Sequence, residues 1–325
     1  MDALSRIKQL GMPRRNDELW TFFPIAKIPA PEFPDACTCD EDFSQETDFA
    51  ALLPIAQNAR PMVRDIPDGA NEMALIKCNN DFGHTVLNIG KGAKASIEIL
   101  DNKVLHALDA ERFDINVGEG ADVEIFFANP ANDLPLRFRH FRISQAAKST
   151  VRFSAIERGN GISRVSIDTF LNAEGANFEI RTLNVLSGNA ESHHRLHIYH
   201  NAPETTSTQL SRNLLDGSSR ASYDGSVIVG NGCTKANSSQ LVNTILLSED
   251  SSVSVKPVLK IYHDDVECTH GNTVGELDAE QMFYLVSRGI PQETAKKMLI
   301  SSFAKETFYP LPDSPAKKRL LQNIQ

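Results

Sequence analysis

The run Glu267-Cys268-Thr269-His270-Gly271-Asn272-Thr273-Val274-Gly275 sets a thiol and an imidazole two residues apart. Taken as one strand, Val258 to His270 puts Val258, Lys260, Tyr262, Asp264, Val266, Cys268 and His270 on one face, since alternate side chains share a face. Cys268 and His270 are then neighbours, about 7 Å apart along the backbone. A soft sulfur beside an imidazole can bind iron, zinc or copper. Two donors do not close a coordination shell, so a partner chain, a substrate or solvent has to supply the rest. The ordinary reading of the same pair is packing. Free cysteine is among the most buried residue types, and a histidine ending a strand is commonly a hydrogen-bonded surface group.

Other reactive side chains are less well arranged. In His193-His194-Arg195-Leu196-His197-Ile198-Tyr199-His200, parity puts His193 and His197 on one face and His194 and His200 on the other. Arg195 lies between the first two, and a cation there disfavours a metal. These read as strand histidines stacked between neighbouring strands. Asp264-Asp265-Val266-Glu267 is rich in carboxylates, but alternation splits the aspartates between faces, which fits a solvated surface better than paired acid–base work. Cys37-Thr38-Cys39 lacks the C-x-x-C spacing of zinc and redox motifs. No GxxxxGK[ST] loop and no G-x-S-x-G elbow is present, so the chain is not expected to hydrolyse nucleotide itself.

The elements that must hold these residues follow from a repeat. Gly90-Lys91-Gly92-Ala93-Lys94-Ala95-Ser96-Ile97-Glu98-Ile99 recurs as Gly118-Glu119-Gly120-Ala121-Asp122-Val123-Glu124-Ile125 and as Ala173-Glu174-Gly175-Ala176-Asn177-Phe178-Glu179-Ile180. With weaker copies, turns fall at 92, 120, 148, 175, 204 and 232, in steps of 28, 28, 27, 29 and 28. A last step of 18, to Asp250, reads as the coil closing. A regular period of turn and strand signals a stacked β-solenoid. A sandwich or jelly roll is the alternative, because period-2 alternation is common to all three.

Residues 1–75 are different: proline-rich, with short helices expected over Asp2–Leu10, Asp17–Phe23 and Asp48–Leu53, the last capped by Thr47. After Gly275 the pattern turns helical. Asp278 starts a capping pattern for a helix from Ala279 to about Ser287, ended by Arg288-Gly289. Pro291 opens a second helix carrying Ala295, Met298, Leu299, Ser302 and Phe303 on one stripe, and Pro310 stops it. The expected division is 1–75 helical and loop, 76–275 β-core, and 276–325 helical.

Composition sets outer limits. There are 33 basic and 42 acidic residues, a net charge of −9, with no basic run. This excludes nucleic acid and anionic membranes as expected partners. No apolar stretch approaches the roughly 20 residues of a membrane span, and the five cysteines are odd in number and irregular in spacing. A reducing, cytoplasmic location is the expectation.

The segment Lys256-Pro257-Val258-Leu259-Lys260-Ile261-Tyr262-His263-Asp264-Asp265-Val266-Glu267-Cys268-Thr269-His270-Gly271-Asn272-Thr273-Val274-Gly275 resembles the SufB/SufD family of iron–sulfur cluster assembly proteins, in the form of its SufD branch. So do His200-Asn201-Ala202-Pro203, Leu215-Asp216-Gly217-Ser218-Ser219-Arg220, Leu246-Leu247-Ser248-Glu249-Asp250, Phe283-Tyr284-Leu285, Ser287-Arg288-Gly289-Ile290 and, near the start, Met12-Pro13-Arg14-Arg15-Asn16-Asp17-Glu18-Leu19-Trp20. Where that family reads glycine-alanine-threonine, this chain has Gly271-Asn272-Thr273.

The resemblance implies a right-handed parallel β-helix core with helical flanks. It implies a scaffold, not an enzyme, paired with a SufB-type subunit and carrying a SufC-type ATPase. On that pattern His270, with Cys268 beside it, is the candidate metal ligand at the subunit interface, where iron or a nascent cluster is held transiently and no cofactor stably. The segment Asp278–Phe308 is the implied ATPase-docking region, with Phe283, Tyr284, Arg288, Met298, Leu299 and Phe303 as candidate contacts. Two further readings stand beside this one: a structural homodimer or ATPase anchor with no ligand role, and a carbohydrate-acting β-helix, for which no groove of grouped acids is evident.

Overall fold

A computed structural model describes residues 1–39, 41–78, 81–101, 107–129, 136–159, 161–322 and 324. Among the described residues sixteen strands form two eight-stranded sheets, and the strand pairs are parallel. The chain alternates between the sheets. It adds Pro61–Ile66 to the first and Asn71–Cys78 to the second, and continues so to Ser252–Ile261 in the first and Val266–Gly275 in the second. This is a two-sheet β-solenoid, and its strands begin at Pro61, ahead of residue 76.

The repeat read from the sequence is one column of stacked turns. Gly92, Gly120, Lys148, Gly175, Glu204 and Gly232 all have positive φ, between 55° and 79°. Glycine takes that conformation without penalty; Lys148 and Glu204 take it because each turn is tied to the next coil. Gly120 N–H donates to the Ala147 carbonyl at 2.8 Å, Lys148 N–H to the Glu174 carbonyl at 2.9 Å, and Glu204 N–H to the Thr234 carbonyl at 2.9 Å.

The expected closing step at Asp250 is corrected. The column continues from Lys235, whose N–H donates to the Asp265 carbonyl at 2.7 Å. Residues 248–251 belong to the opposite column, where Gly217 N–H donates to Ser248 Oγ at 2.8 Å. Turns of both columns look alike in sequence, because both need a tight reversal between strands. The single strand expected over Val258–His270 is likewise two: Ser252–Ile261 ends the first sheet, 262–265 turn, and Val266–Gly275 ends the second. Face parity therefore does not carry from Val258 to His270.

The interior changes along the axis. In the N-terminal half Phe113, Phe127, Phe141, Phe153 and Phe178 fill it, with Phe113 and Phe141 stacked at 4.6 Å between ring centres. Towards the C-terminal end the inward positions of the second sheet become mostly polar: Ser207, Gln209, Ser211 and Asn213, then Ser238, Gln240 and Thr244, with Val242 apolar among them, all buried. They bond as ladders between coils. Asn184 Nδ2 donates to Asn213 Oδ1 at 2.8 Å, and Asn213 Nδ2 to Thr244 Oγ1 at 2.9 Å.

The N-terminal segment covers the outer face of the first sheet. Helix α1, Ala3–Leu10, is capped by Asp2, and α2, Phe49–Ala56, by Asp48 rather than Thr47. Asp48 is placed to do more than cap: its carboxylate also meets the buried Arg164 guanidinium at 2.9 Å. That guanidinium lies 4.0 Å from the centre of the Trp20 ring, and Trp20 packs edge-on against Phe138. Of Asp17–Phe23, only a single 3₁₀ turn forms, Glu18–Trp20.

Beyond the solenoid lie α3, Ala279–Ser287, α4, Gln292–Glu306, and α5, Pro315–Gln322. Asp278 caps α3 by accepting from Glu280 and Gln281 N–H, and Gly289 ends it at φ +86°. The far end of α4 and the tail pack on the outer face of the second sheet, where Ala304, Phe308, Leu311 and Leu320 meet Phe126, Ile156, Leu183 and Leu214.

Candidate functional site

Cys268 and His270 lie on Val266–Gly275, which pairs on one side only, with Ala236–Leu246. Register sets Cys268 over Ser238 and His270 over Gln240. Ser238 and Gln240 are buried inward positions, so Cys268 and His270 take the inward face of the last coil. Cys268 packs half-buried with Val229, Cys233 and Ala236, while the His270 imidazole is exposed, because no further coil lies over it. Burial pushes the Cys268 thiol above its usual range. The pair therefore sits at an open end, not inside a closed cage. Among the described residues no three histidine, cysteine or carboxylate side chains gather to hold a metal ion.

The donor set nonetheless suits a shared soft or borderline metal: one sulfur and one imidazole on a common face. Beneath them the polar columns end. Ser207 Oγ lies 2.8 Å from Ser238 Oγ, directly below Cys268. Below His270, Tyr223 Oη donates to Gln209 Oε1 at 2.6 Å, Gln240 stands next in register, and neither polar atom of the Gln240 side chain has a hydrogen-bond partner. Sequence reasoning missed this polar floor. Its signal was available in Ser207, Gln209, Ser211 and Asn213, where polar residues take alternate positions that apolar ones take in earlier coils.

The edges of the end coil differ. Pro257 sits in the edge strand of the first sheet, where proline is tolerated and where it interrupts a further ladder. Val266–Gly275 contains no proline and leaves one side of its backbone without a strand partner. Around it Leu241 and Val274 are exposed apolar side chains, and Ile261 and Tyr262 stand on the adjoining strand end and turn.

The helical candidates divide into two groups. Helix α3 buries no side chain, and Phe283 is 74 % and Tyr284 58 % exposed. Arg288 places its guanidinium 5.1 Å from the Tyr284 ring centre. Met298 is exposed and Leu299 half-buried; with Phe283, Tyr284 and Leu285, Leu299 lines an apolar groove of about 840 Å³. Phe303, by contrast, faces the chain's own core: it packs with the Phe308 cluster, and Arg212 lies over its ring at 4.7 Å. The stripe expected as one surface is thus split: Ala295 is buried, Met298 is exposed, Leu299 borders the open groove, and Phe303 is an anchor.

The remaining candidates serve the fold. His193 contacts Ser222 Oγ at 2.8 Å and Glu191 at 3.2 Å, and His197 accepts from Arg195 at 2.9 Å. His200 lies inside, between Thr205 Oγ1 at 2.7 Å and Ser207 Oγ at 2.9 Å. Asp264 and Asp265 are exposed in the last turn. Cys37 and Cys39 bring their sulfurs to 2.9 Å, but burial pushes the Cys39 thiol up to about 11, away from thiolate chemistry at neutral pH.

Comparison with known proteins gives the family. Residues 73–303 match the family described as SUF system FeS cluster assembly, SufBD core domain. The chain is 33 % identical to the iron–sulfur cluster assembly protein SufD of Escherichia coli, over 73 % of this chain and 57 % of that protein. It is 31 % identical to a SufBD family iron–sulfur cluster assembly protein of Synechocystis, over 56 % of this chain and 40 % of that one. It is 30 % identical to SufD of Bacillus subtilis, over 48 % and 36 %. The chain thus spans about half the length, or less, of these relatives. With the matched residues running through the solenoid, the open end and α4, the chain belongs to the SufB/SufD family of the SUF iron–sulfur cluster assembly system.

Proposed function

We propose that this chain is a SufD-type scaffold subunit. It pairs through its open solenoid end with a SufB-type subunit, offers His270 and Cys268 to iron or a nascent cluster held between the two, and docks a SufC-type ATPase on α3 and the first half of α4. The observation that carries this reading is the position of the donor pair on an edge strand without a cap. A solenoid end exposes backbone groups that a cap or a partner strand satisfies. Two donors at such an end make half of a site, and a facing chain completes it.

A labile site of this kind suits assembly. A closed four-donor cage holds its metal tightly, whereas a shell divided between two chains releases its cargo when they shift. Apolar, aromatic exposure on α3 supports the second contact, since aromatic anchors dominate protein interfaces. Metal and cluster are cargo in this scheme, and the chain's own part is binding and orientation rather than turnover.

Co-expression with a SufB-type subunit and a SufC-type ATPase tests the proposal. The expected result is a stable complex containing all three chains, lost in two separate ways: by Val274→Lys for the SufB-type partner, and by deletion after Asp278 for the ATPase. A chain that elutes alone, or as a pair of its own copies in the presence of both partners, would overturn it.

A further inference from the structure

We propose that Cys37 and Cys39 form a reversible redox site, a dithiol that a small-molecule disulfide of the glutathione type oxidises to an intramolecular disulfide. Spacing alone does not indicate this; the fold does. Cys37-Thr38-Cys39 runs past the end of α2, where Asn58 grips it on both sides of Thr38. Asn58 Oδ1 accepts from Thr38 N–H at 2.8 Å, and Asn58 Nδ2 donates to the Ala36 carbonyl at 3.0 Å. Asn58 itself sits at φ 60°, a conformation asparagine adopts more readily than most residues. With the backbone held in this way, both thiols turn against the apolar cluster of the N-terminal segment, and their sulfurs lie 2.9 Å apart. Small side-chain rotations carry a contact this close to the bonded length of about 2.05 Å.

The fold accommodates both states. In the dithiol, Cys37 S–H donates to the Ile55 carbonyl at 3.7 Å. That carbonyl also accepts from Asn58 N–H at 2.9 Å, and keeps this bond when the thiol proton is gone. Access differs among the cysteines. Cys78 and Cys233 are buried, whereas Cys37 and Cys39 are both half-buried, within reach of a small reagent.

The two thiols have separate roles. Burial and the neighbouring Cys37 keep the proton on Cys39, so Cys39 S–H is the donor in the sulfur–sulfur contact and Cys37 Sγ the acceptor. Cys37 is therefore the attacking sulfur and Cys39 the resolving one. The Cys37 thiolate attacks one sulfur of glutathione disulfide, whose S–S bond breaks. The glutathione thiolate released takes up the proton that Cys37 gave to solvent. Cys39 then attacks Cys37 Sγ, and the second glutathione leaves with the Cys39 proton. The chain loses two electrons and two protons, and one glutathione disulfide becomes two thiols. Partly exposed disulfides are among the readily reduced ones, so excess thiol reverses the step.

The full chain in a glutathione buffer near neutral pH tests this, with free thiols trapped afterwards by alkylation in denaturant and mapped by mass spectrometry. The expected result is joint loss of both alkyl groups from the peptide holding Cys37 and Cys39, which becomes lighter than its dithiol by two hydrogens, while Cys78 and Cys233 remain alkylated. Cys39→Ser is expected to leave one glutathione on Cys37, since nothing resolves it, and Cys37→Ser to leave Cys39 a free thiol. At one glutathione ratio the disulfide-to-dithiol ratio of the pair is expected to be roughly tenfold higher in the native chain than in urea, where only sequence proximity acts. Thiols that stay alkylatable at every ratio, a separate glutathione on each cysteine of the parent chain, or a pair no more oxidised in the native chain than in urea would each overturn the proposal. Should a serine variant fail to fold, the native-to-urea comparison on the parent chain decides.

Discussion

Arg64 reaches across the first coil to Glu72, Nη2 to Oε2 at 3.5 Å, and lays charge over the N-terminal end of the solenoid interior. Among the described residues the far end shows no such ion pair over the interior. There the inward side chains of the first sheet are Val253, Val255, Pro257 and Leu259, half-buried, facing Val266, Cys268, His270, Asn272 and Val274. Charge at a sheet end opposes further stacking, and an apolar end invites it. Met62, Val63, Met73 and Leu75 are exposed at the N-terminal end too, so the ion pair, and not apolar area, is what distinguishes the two ends. Val274 is 49 % exposed, so Val274→Lys is expected to change folding stability by less than about 0.5 kcal/mol. It is also expected to abolish pairing, as read by gel filtration with the partner. Normal pairing by a folded Val274→Lys chain would move the interface elsewhere.

The exposed half of the helical hairpin gives a second expectation. Phe283→Ala with Tyr284→Ala removes two aromatic groups that the fold does not bury. Thermal stability is expected to hold, while affinity for a SufC-type ATPase, on the proposed docking, falls by roughly 30-fold or more, the loss typical of central aromatic contacts. Titration calorimetry reads this directly. Phe303→Ala provides the contrast: it strips an anchor from the core, so stability falls as well.

How much of this was legible beforehand depends on which physical signal each residue carries. The turns at 92, 120, 148, 175, 204 and 232 were legible because a tight reversal demands small, polar or left-handed residues at a fixed interval. Asp250 misled because the opposite turn column makes the same demand, and nothing local says which edge a turn occupies. The break at 262–265 was hidden for a related reason: Tyr262-His263-Asp264-Asp265 carries no glycine or proline, and the turn is imposed by the coil beneath, through Lys235 and Asp265. Cys268 and His270 kept their common face because both lie on one side of that break. The floor under them, Gln240 above all, shows itself only once register stacks residues thirty positions apart.

Asp48 links the N-terminal segment to the solenoid through Arg164, both side chains 2 % exposed. Arg164 and Arg195 together hold the Asp48 carboxyl far below the ordinary carboxylate range, against the opposing effect of burial. Asp48→Ala leaves Arg164 buried without its anion and removes the cap of α2. A loss of about 3–5 kcal/mol is expected in denaturant unfolding. A loss under about 1 kcal/mol would show that the segment is not clamped there.

Stability is also expected to fall in mild acid. Burial pushes the His200 imidazole down to about 4 from an unfolded value near 6.5. Because the unfolded chain takes up the proton first, this contribution is whole above about 6.5 and is lost as pH falls from there to about 4. His200 is fully buried, and a shift of this size corresponds to about 3 kcal/mol. His197, held down to about 4 by burial and by Arg195, adds in the same window. Unfolding midpoints measured between pH 7.5 and 4 check this, with His200→Gln expected to flatten the slope. An equal slope in that variant would place the acid sensitivity elsewhere.

The proposed half-site is tested most directly by cluster formation in a mixture of this chain with a SufB-type subunit and a SufC-type ATPase, followed by visible absorbance. His270→Ala should assemble with both partners, since the imidazole is exposed and supports no packing, yet yield no cluster. A His270→Ala complex that forms cluster at the parent rate would contradict the shared-shell account.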